Sequence, residues 1–187
     1  MEIIFTALDF YKNTGYDPNK DFSIELYDVA STPPIPASEG ARLGAWSLPY
    51  DSPSDTVSVE FKVPNSYTFG TSMTVDAHIL LERNNTAQGI IQLRLRADFR
   101  SSGEQWGQGT TDTKYKQTVI SSETTVNEPT GLTEAKSARH YKISFDLPGI
   151  YANPGDFAIL SFDRTKLKSG NYNDTIYLTV ASIRYSV

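Results

Sequence analysis

The sequence predicts an all-β fold: a jelly-roll or related Greek-key β-sandwich of about eight strands with an extended N-terminal arm. The main evidence is the alternation of apolar and polar residues in three successive segments, 57–63, 73–81 and 91–99, which only Leu80 interrupts. A period of two places one set of side chains on a buried face and the other in water. Because each of these ribbons is apolar on one face only, they must close over a second sheet.

The remaining strands are predicted in order from the same pattern. Candidate strands lie at 2–10, 21–29, 114–122, 141–147, 155–164 and 174–187. Segment 155–164 is almost continuously apolar, which favours a strand covered on both faces. The apolar phase of the last segment shifts near Val180, and this predicts a β-bulge. Polar stretches at 101–113 and 123–138 are predicted loops.

Two divisions of the chain are expected, at residues 1–45 and 46–187. The first contains the stretch STPPIPASEG, whose prolines cannot donate sheet hydrogen bonds and therefore predict an extended, unpaired segment. We interpret residues 1–45 either as an arm that reaches out from the sandwich or as an ordinary edge hairpin of it. Residues 46–187 form the predicted sandwich domain.

Composition excludes several classes of function. The net charge of −5 argues against general binding to nucleic acid phosphates. No apolar run approaches the length of a membrane-spanning helix, so no membrane segment is expected. The chain has no cysteine for a disulfide or thiolate metal site, and its N-terminus lacks the basic region of a secretory signal.

The sequence contains no pattern that predicts a catalytic, cofactor-binding or metal-binding residue. The two histidines, His78 and His140, are expected to be solvated strand side chains without a ligand set around them. Acidic residues on the polar strand faces alternate with basic ones, which favours cross-strand ion pairs over an acid–base pair. These residues are Asp76, Glu82, Asp98 and Asp146, beside Arg94, Arg96, Arg100 and Lys142.

Aromatic residues in loops and at strand ends suggest a second type of site. Such side chains either stack on sugar rings or close the open ends of a sandwich, and closure is the favoured interpretation. The residues concerned are Trp46, Trp106, Tyr115, Tyr151 and Tyr172.

Several strand patterns together resemble those of the small jelly-roll structural proteins of tailed bacteriophages. The first is a turn-initiated strand that ends in Val63-Pro64 before Tyr67. The second is an apolar strand from Gly155-Asp156 to Asp163-Arg164, and the third is a closing strand with Ile183 and Tyr185. The resemblance covers about 46–187. It implies a capsid cement or decoration protein, or a tail-fibre module, that is commonly trimeric and has no catalytic residues.

The resemblance leads to a specific expectation for function. It implies a homo-trimer on the outside of a virion, assembled in the host cytoplasm, that stabilises the head shell through contacts with the major capsid protein. The N-terminal region would make contacts between subunits. The expected contact residues are Ile3, Ile4, Phe5, Pro33, Pro34 and Ile35. The alternative is a receptor- or carbohydrate-binding module at a tail or fibre tip, in which Trp106 would contact a glycan.

Overall fold

The computed structural model describes residues 1–12, 23–25, 42–48, 50, 56–81, 89–103, 116–126, 140–165, 167, 169–173 and 175–187. Nearly all of the regular structure in these ranges is β-strand. The strands are β1 (Glu2–Thr6), β2 (Phe10–Lys12), β3 (Ser23–Glu25), β4 (Arg42–Gly44), β5 (Trp46–Leu48), β6 (Val57–Lys62), β7 (Met73–Leu81), β8 (Gly89–Ile91), β9 (Leu93–Arg100), β10 (Lys116–Ile120), β11 (Thr124–Val126), β12 (His140–Leu147), β13 (Phe157–Arg164) and β14 (Ile176–Arg184). Two short 3₁₀ turns lie at Ala7–Asp9 and Gly149–Tyr151.

Ten of these strands form two antiparallel five-stranded sheets. Sheet A has the order β1-β14-β7-β12, with β5 also paired with β14, and sheet B has the order β10-β9-β13-β6-β2. The chain crosses repeatedly between the sheets, and each sheet mixes early and late strands in the order of a jelly roll. The predicted β-sandwich is therefore confirmed, although its two sheets contain ten strands instead of about eight.

The N-terminal residues extend the edges of both sheets. β1 pairs with β14 beside β5, whereas β2 pairs with β6. A single strand was predicted over 2–10, but the chain turns at Ala7–Asp9, where Oδ2 of Asp9 accepts hydrogen bonds from the backbone N–H and the hydroxyl of Thr6. Residues 1–12 thus form sheet edges. Most of the other residues up to 45 lie outside the described ranges, so the boundary near residue 45 stays a prediction.

Aromatic side chains join the two sheets across the core. Phe162 in sheet B contacts Phe145 in sheet A with a ring-centroid distance of 6.2 Å, and it lies 6.2 Å from Phe10. Phe5 and Phe61 form a second contact between the sheets at 5.6 Å. Edge-to-face and tilted contacts of this kind add to the energy of apolar burial.

Two features of the final strands were predicted from the sequence. The register of β14 against β7 shifts between Leu178 and Val180, which confirms the predicted bulge. β13 lies in the middle of sheet B, yet the outward side chains of Phe157, Ile159 and Ser161 are half-buried or exposed. Only Asp163, also on this face, is fully buried. The expectation of a strand covered on both faces is therefore wrong for most of β13, and the outer face of sheet B is open.

Candidate functional site

The outer face of sheet B carries a groove of about 340 Å³, which we call the sheet-B groove. Its wall is formed by residues from β2, β9, β10 and β13 together with one residue just before β6. The lining residues are Tyr11, Thr56, Arg96, Ala97, Asp98, Gln117, Thr118, Ile159 and Ser161.

The strand register aligns five polar residues in one row across the sheet. The Cα partners are Tyr11 with Ser58, Ser58 with Ser161, Ser161 with Arg96 and Arg96 with Thr118. Alternate residues of a strand emerge on the same face, so these side chains project toward the groove side of the sheet. The hydroxyls of Ser58 and Ser161 are 2.8 Å apart and hydrogen-bond to each other. The row is therefore fixed by backbone pairing at every step.

A buried carboxylate anchors one end of the groove. Asp163 is completely buried and accepts two hydrogen bonds from Arg94, at 2.8 Å from Nε and 3.0 Å from Nη2. Nη2 of Arg96 donates to the same carboxylate at 2.7 Å and to Oγ1 of Thr56 at 2.9 Å. We call Thr56, Arg94, Arg96 and Asp163 the Asp163 cluster. The hydrogen bond to Asp163 raises the pKa of Arg94 despite the opposing effect of burial.

Tyr11 forms the wall at the β2 edge of the groove. Its hydroxyl donates a 2.8 Å hydrogen bond to Oε1 of Glu60. Burial, followed by this hydrogen bond and the charge of Glu60, raises the pKa of Tyr11 to about 12. The hydroxyl therefore remains protonated at neutral pH.

The opposite wall contains an ion pair, in which Nε of Arg100 lies 3.2 Å from Oδ1 of Asp98. Gln117 also contributes to this wall, but it pairs with the core residue Ala97. Its side chain, which is 7% exposed, therefore lies on the inner face of sheet B.

The outer face of sheet A carries a second polar cluster. Oδ2 of Asp76 lies 2.8 Å from Nη2 of Arg184 and 3.6 Å from Nζ of Lys142. Nδ1 of His78 lies 2.8 Å from Nε2 of His140. The sequence predicted ion pairing for Asp76 and Lys142, but it gave no signal that the two histidines meet. In the part of the chain that the structure describes, no three His, Cys, Asp or Glu residues lie close enough to hold a metal ion.

The residues predicted to contact partners differ in how far they are buried. Phe5 is buried in the core and Ile3 packs partly against it, whereas Ile4 is 62% exposed. Burial makes Phe5 part of the intrachain core. Whether Ile3 or Ile4 contacts a partner stays a prediction. The other predicted contacts, Pro33, Pro34, Ile35 and Trp106, lie outside the described residues.

Among the loop aromatics that the structure describes, none lines the groove. Trp46 is buried and its Nε1 donates a 2.8 Å hydrogen bond to the carbonyl of Ala7, and Tyr172 is fully buried. Tyr151 packs partly against the core, and Tyr115 lies outside the described residues. The favoured interpretation, in which such residues close the sandwich, fits Trp46 and Tyr172. Tyr11 was not among the predicted site residues, because it follows the strand predicted at 2–10 and no sequence pattern marked it.

Among the residues with a described structure, no helix is long and apolar enough to cross a membrane. Neither a protein-family model nor a curated protein matches this sequence.

Solved structures match the chain only distantly. A xylanase 10B fragment from Clostridium thermocellum, with CBM22-1 and GH10 modules and bound xylohexaose, is 12% identical with a TM-score of 0.45; the match covers all of this chain but 26% of the xylanase chain. The K1 cleaved adhesin domain of Lys-gingipain from Porphyromonas gingivalis is 8% identical with a TM-score of 0.45, and the match covers 100% of this chain and 99% of the adhesin domain. A family 35 carbohydrate-binding module from Clostridium thermocellum is 9% identical with a TM-score of 0.37, and the match covers 100% of this chain and 99% of the module. A likeness of this size carries no argument about what this chain binds.

Proposed function

We propose that this protein binds a glycan in the sheet-B groove without acting on it chemically. The observation that carries the proposal is the polar row from Tyr11 to Thr118, which crosses five paired strands and ends in a groove of about 340 Å³. Glycan binding was the alternative to the capsid cement function in the sequence analysis. The predicted capsid partner, trimer and virion location remain predictions that no contact among the described residues supports.

The chemical groups of the groove suit a polyhydroxylated ligand. Sugar hydroxyls both donate and accept, and the groove offers the hydroxyls of Thr118 and Ser161, the guanidinium of Arg96 and the carboxylate of Asp98. These groups stand on strands rather than on loops, so little conformational entropy is lost when a ligand binds. The volume lies at the small end of the ligand pockets of about 300–1,000 Å³, which suits a short stretch of sugar chain.

The carboxylates of the groove favour binding over hydrolysis. Glycoside hydrolysis needs one carboxyl group that holds a proton beside another that is ionised. Here Asp163 is hydrogen-bonded to two arginines and Asp98 is paired with Arg100, so both carboxylates contact guanidinium groups instead of forming an acid–base pair with each other.

A glycan array followed by titration calorimetry tests the proposal. The double variant Ser161→Ala with Thr118→Val removes two hydroxyls from the row, and we expect affinity for the selected glycan to fall at least about tenfold. The matched control is Ser144→Ala with Thr74→Val, which makes the same changes on the outer face of sheet A and should leave affinity unchanged. Binding that survives the first variant, or an array without any bound glycan, would refute the proposal.

A further inference from the structure

We infer that the sheet-B groove selects glycans that carry an anionic group, a carboxylate or a sulfate ester, and that Arg96 binds this group. The inference rests on the proposed function and specifies the class of sugar. It follows from the Asp163 cluster, in which the charges do not balance.

Two guanidinium groups share a single carboxylate in this cluster. Asp163 is fully buried, whereas the side chains of Arg94 and Arg96 are 37% and 47% exposed. The carboxylate is therefore hidden behind the arginines, and one positive charge in excess faces solvent. The whole chain has a net charge of −5, so this surplus is a local feature of the groove. A positively charged patch in a partly dehydrated groove attracts anions more strongly than the same charge in open water.

The hydrogen bonds inside the cluster leave donors for a ligand. Arg94 contacts Asp163 through Nε and Nη2, and Arg96 contacts both Asp163 and Thr56 through Nη2 alone. Nη1 of both arginines, together with Nε of Arg96, makes no hydrogen bond to any residue that the structure describes. The bonds to Asp163 hold each guanidinium plane in place, so these donors are preorganised for a planar or tetrahedral anion.

The strand register gives the groove a polarity. Arg94 and Asp163 are Cα partners on one side of the polar row, and Asp98 is paired with Ile159 on the other side, next to Glu60. The two sides are separated by the row that contains Ser161 and Arg96. An anionic substituent is therefore expected to lie toward Arg94, where cations are in excess. The neutral hydroxyls of the same sugar would then lie toward Asp98, which can accept their hydrogen bonds.

A matched pair of polysaccharides tests the inference directly. Polygalacturonate and its fully methyl-esterified form have the same backbone, and they differ in the methyl ester that removes the charge of each carboxylate. We expect calorimetry to show at least tenfold tighter binding of the free acid, with an advantage that shrinks as salt is added. Dextran sulfate against dextran asks the same question for a sulfate ester, and an inorganic polyphosphate shows whether a polyanion without sugar is sufficient.

Arg96→Gln should abolish the preference for the acid and keep the weaker binding of the ester. Arg184→Gln is the matched control, because Arg184 also pairs with a buried aspartate and is 51% exposed, but on sheet A. It should keep the preference. Arg96→Lys keeps the charge without the planar donor set and should retain only part of the preference. Thermal melts verify that each variant is folded, and the comparison of acid with ester in the unmodified protein decides the question even if a variant unfolds.

The outcomes separate the two proposals. Equal binding of acid and ester would overturn the inference while leaving glycan binding intact. An equal loss of preference in Arg184→Gln would also overturn it, since the effect would then reflect net charge alone. Polyphosphate binding as tight as that of polygalacturonate would overturn selection of a glycan. If no glycan binds at all, the proposed function fails and the inference fails with it.

Discussion

Arg94 holds Asp163 through two parallel hydrogen bonds, from Nε to Oδ1 at 2.8 Å and from Nη2 to Oδ2 at 3.0 Å. The two residues are directly opposite each other on the central strands β9 and β13. A fork-to-fork pair of this kind fixes both the distance and the plane of the guanidinium. The pair of Arg94 and Asp163 therefore both stabilises sheet B and fixes the position of a guanidinium group beside the groove.

Asp163→Asn should destabilise the protein, because it leaves two neighbouring guanidinium groups without a counter-charge. We expect the free energy of unfolding to fall by about 2 kcal/mol, below the cost for a fully buried pair since the arginines are partly exposed. Urea denaturation measures the loss. Asp146→Asn removes the same charge at an exposed position and should cost less than about 0.5 kcal/mol. Equal losses in the two variants would contradict this account.

Gly149→Ala should be destabilising because there is no space for a side chain. A Cβ at this position would overlap the carbonyl oxygen of Thr71 and the hydroxyl of Tyr67, which hydrogen-bond to each other at 2.5 Å. We expect a loss of about 2–3 kcal/mol, measured by urea denaturation.

The control for the preceding variant is Gly103→Ala. Gly103 has a φ of +90°, but a Cβ added there would meet open space. The loss of unfolding free energy in Gly103→Ala, about 1–2 kcal/mol, should therefore come from backbone strain alone. A smaller loss at Gly149 than at Gly103 would show that the loop at Thr71 moves aside.

Phe162→Ala should remove the aromatic contact between the sheets. Phe162 is fully buried between Phe10 and Phe145, so its truncation should cost about 4 kcal/mol and lower the melting temperature. Phe157→Ala is a control on the same strand, because Phe157 is 41% exposed on the outer face, and it should cost less than about 1 kcal/mol. Similar melting temperatures for the two variants would be inconsistent with the core described above.

The histidine pair should make stability fall in mild acid. Burial, followed by the charge of His140, lowers the pKa of His78 below its usual 6.5; Lys142 acts in the same direction, and Asp76 and Glu2 oppose it. At a pH above 6.5, neither the folded nor the unfolded chain binds a proton at His78. Between pH 6.5 and the lower pKa of His78 in the folded chain, only the unfolded chain is protonated at this residue. The free energy of unfolding therefore decreases as the pH falls through this window.

Urea unfolding at about pH 7.5 and about pH 5.5 measures this effect across the range in which histidine titrates. The chain has only two histidines, so few other side chains titrate there. We expect the loss of stability to be smaller in His78→Gln than in the unmodified protein. His140→Gln should reduce it as well, because the charge of His140 contributes to the lowered pKa. An unchanged loss in both variants would exclude the pair as its source.

Much of the sandwich could be predicted from alternation alone. The predicted strands at 57–63, 73–81 and 141–147 correspond closely to β6, β7 and β12. In an antiparallel strand with one buried face, every second residue is apolar, so the sequence shows the strand directly. The turn that ends β1 was missed, although the spacing of Thr6 and Asp9 is that of a capping motif. The apolar pattern continues through the turn, since both sheets face the same core.

The candidate site could not be predicted, because it depends on which strands are neighbours. Tyr11, Ser161 and Thr118 come from distant parts of the sequence and meet only through the register of sheet B. The sequence predicted ion pairs, and the pairs of Asp76 with Lys142 and Asp98 with Arg100 are present. It identified Asp163 only as part of the end of an apolar strand and gave no signal that two arginines meet there. Its importance comes from Arg94 and Arg96 on the neighbouring strand.

The position of β14 in sheet A has a consequence for synthesis of the chain on the ribosome. β14 pairs with β1, β5 and β7, so these strands remain without their common neighbour until residues 176–184 have emerged. Sheet B needs no segment beyond β13 and can assemble earlier. During that interval its apolar inner face is uncovered, and a nascent chain in that state is a natural target for chaperones and for aggregation. A chain truncated after Arg164 should therefore be recovered in inclusion bodies, even though every strand that lines the groove is present.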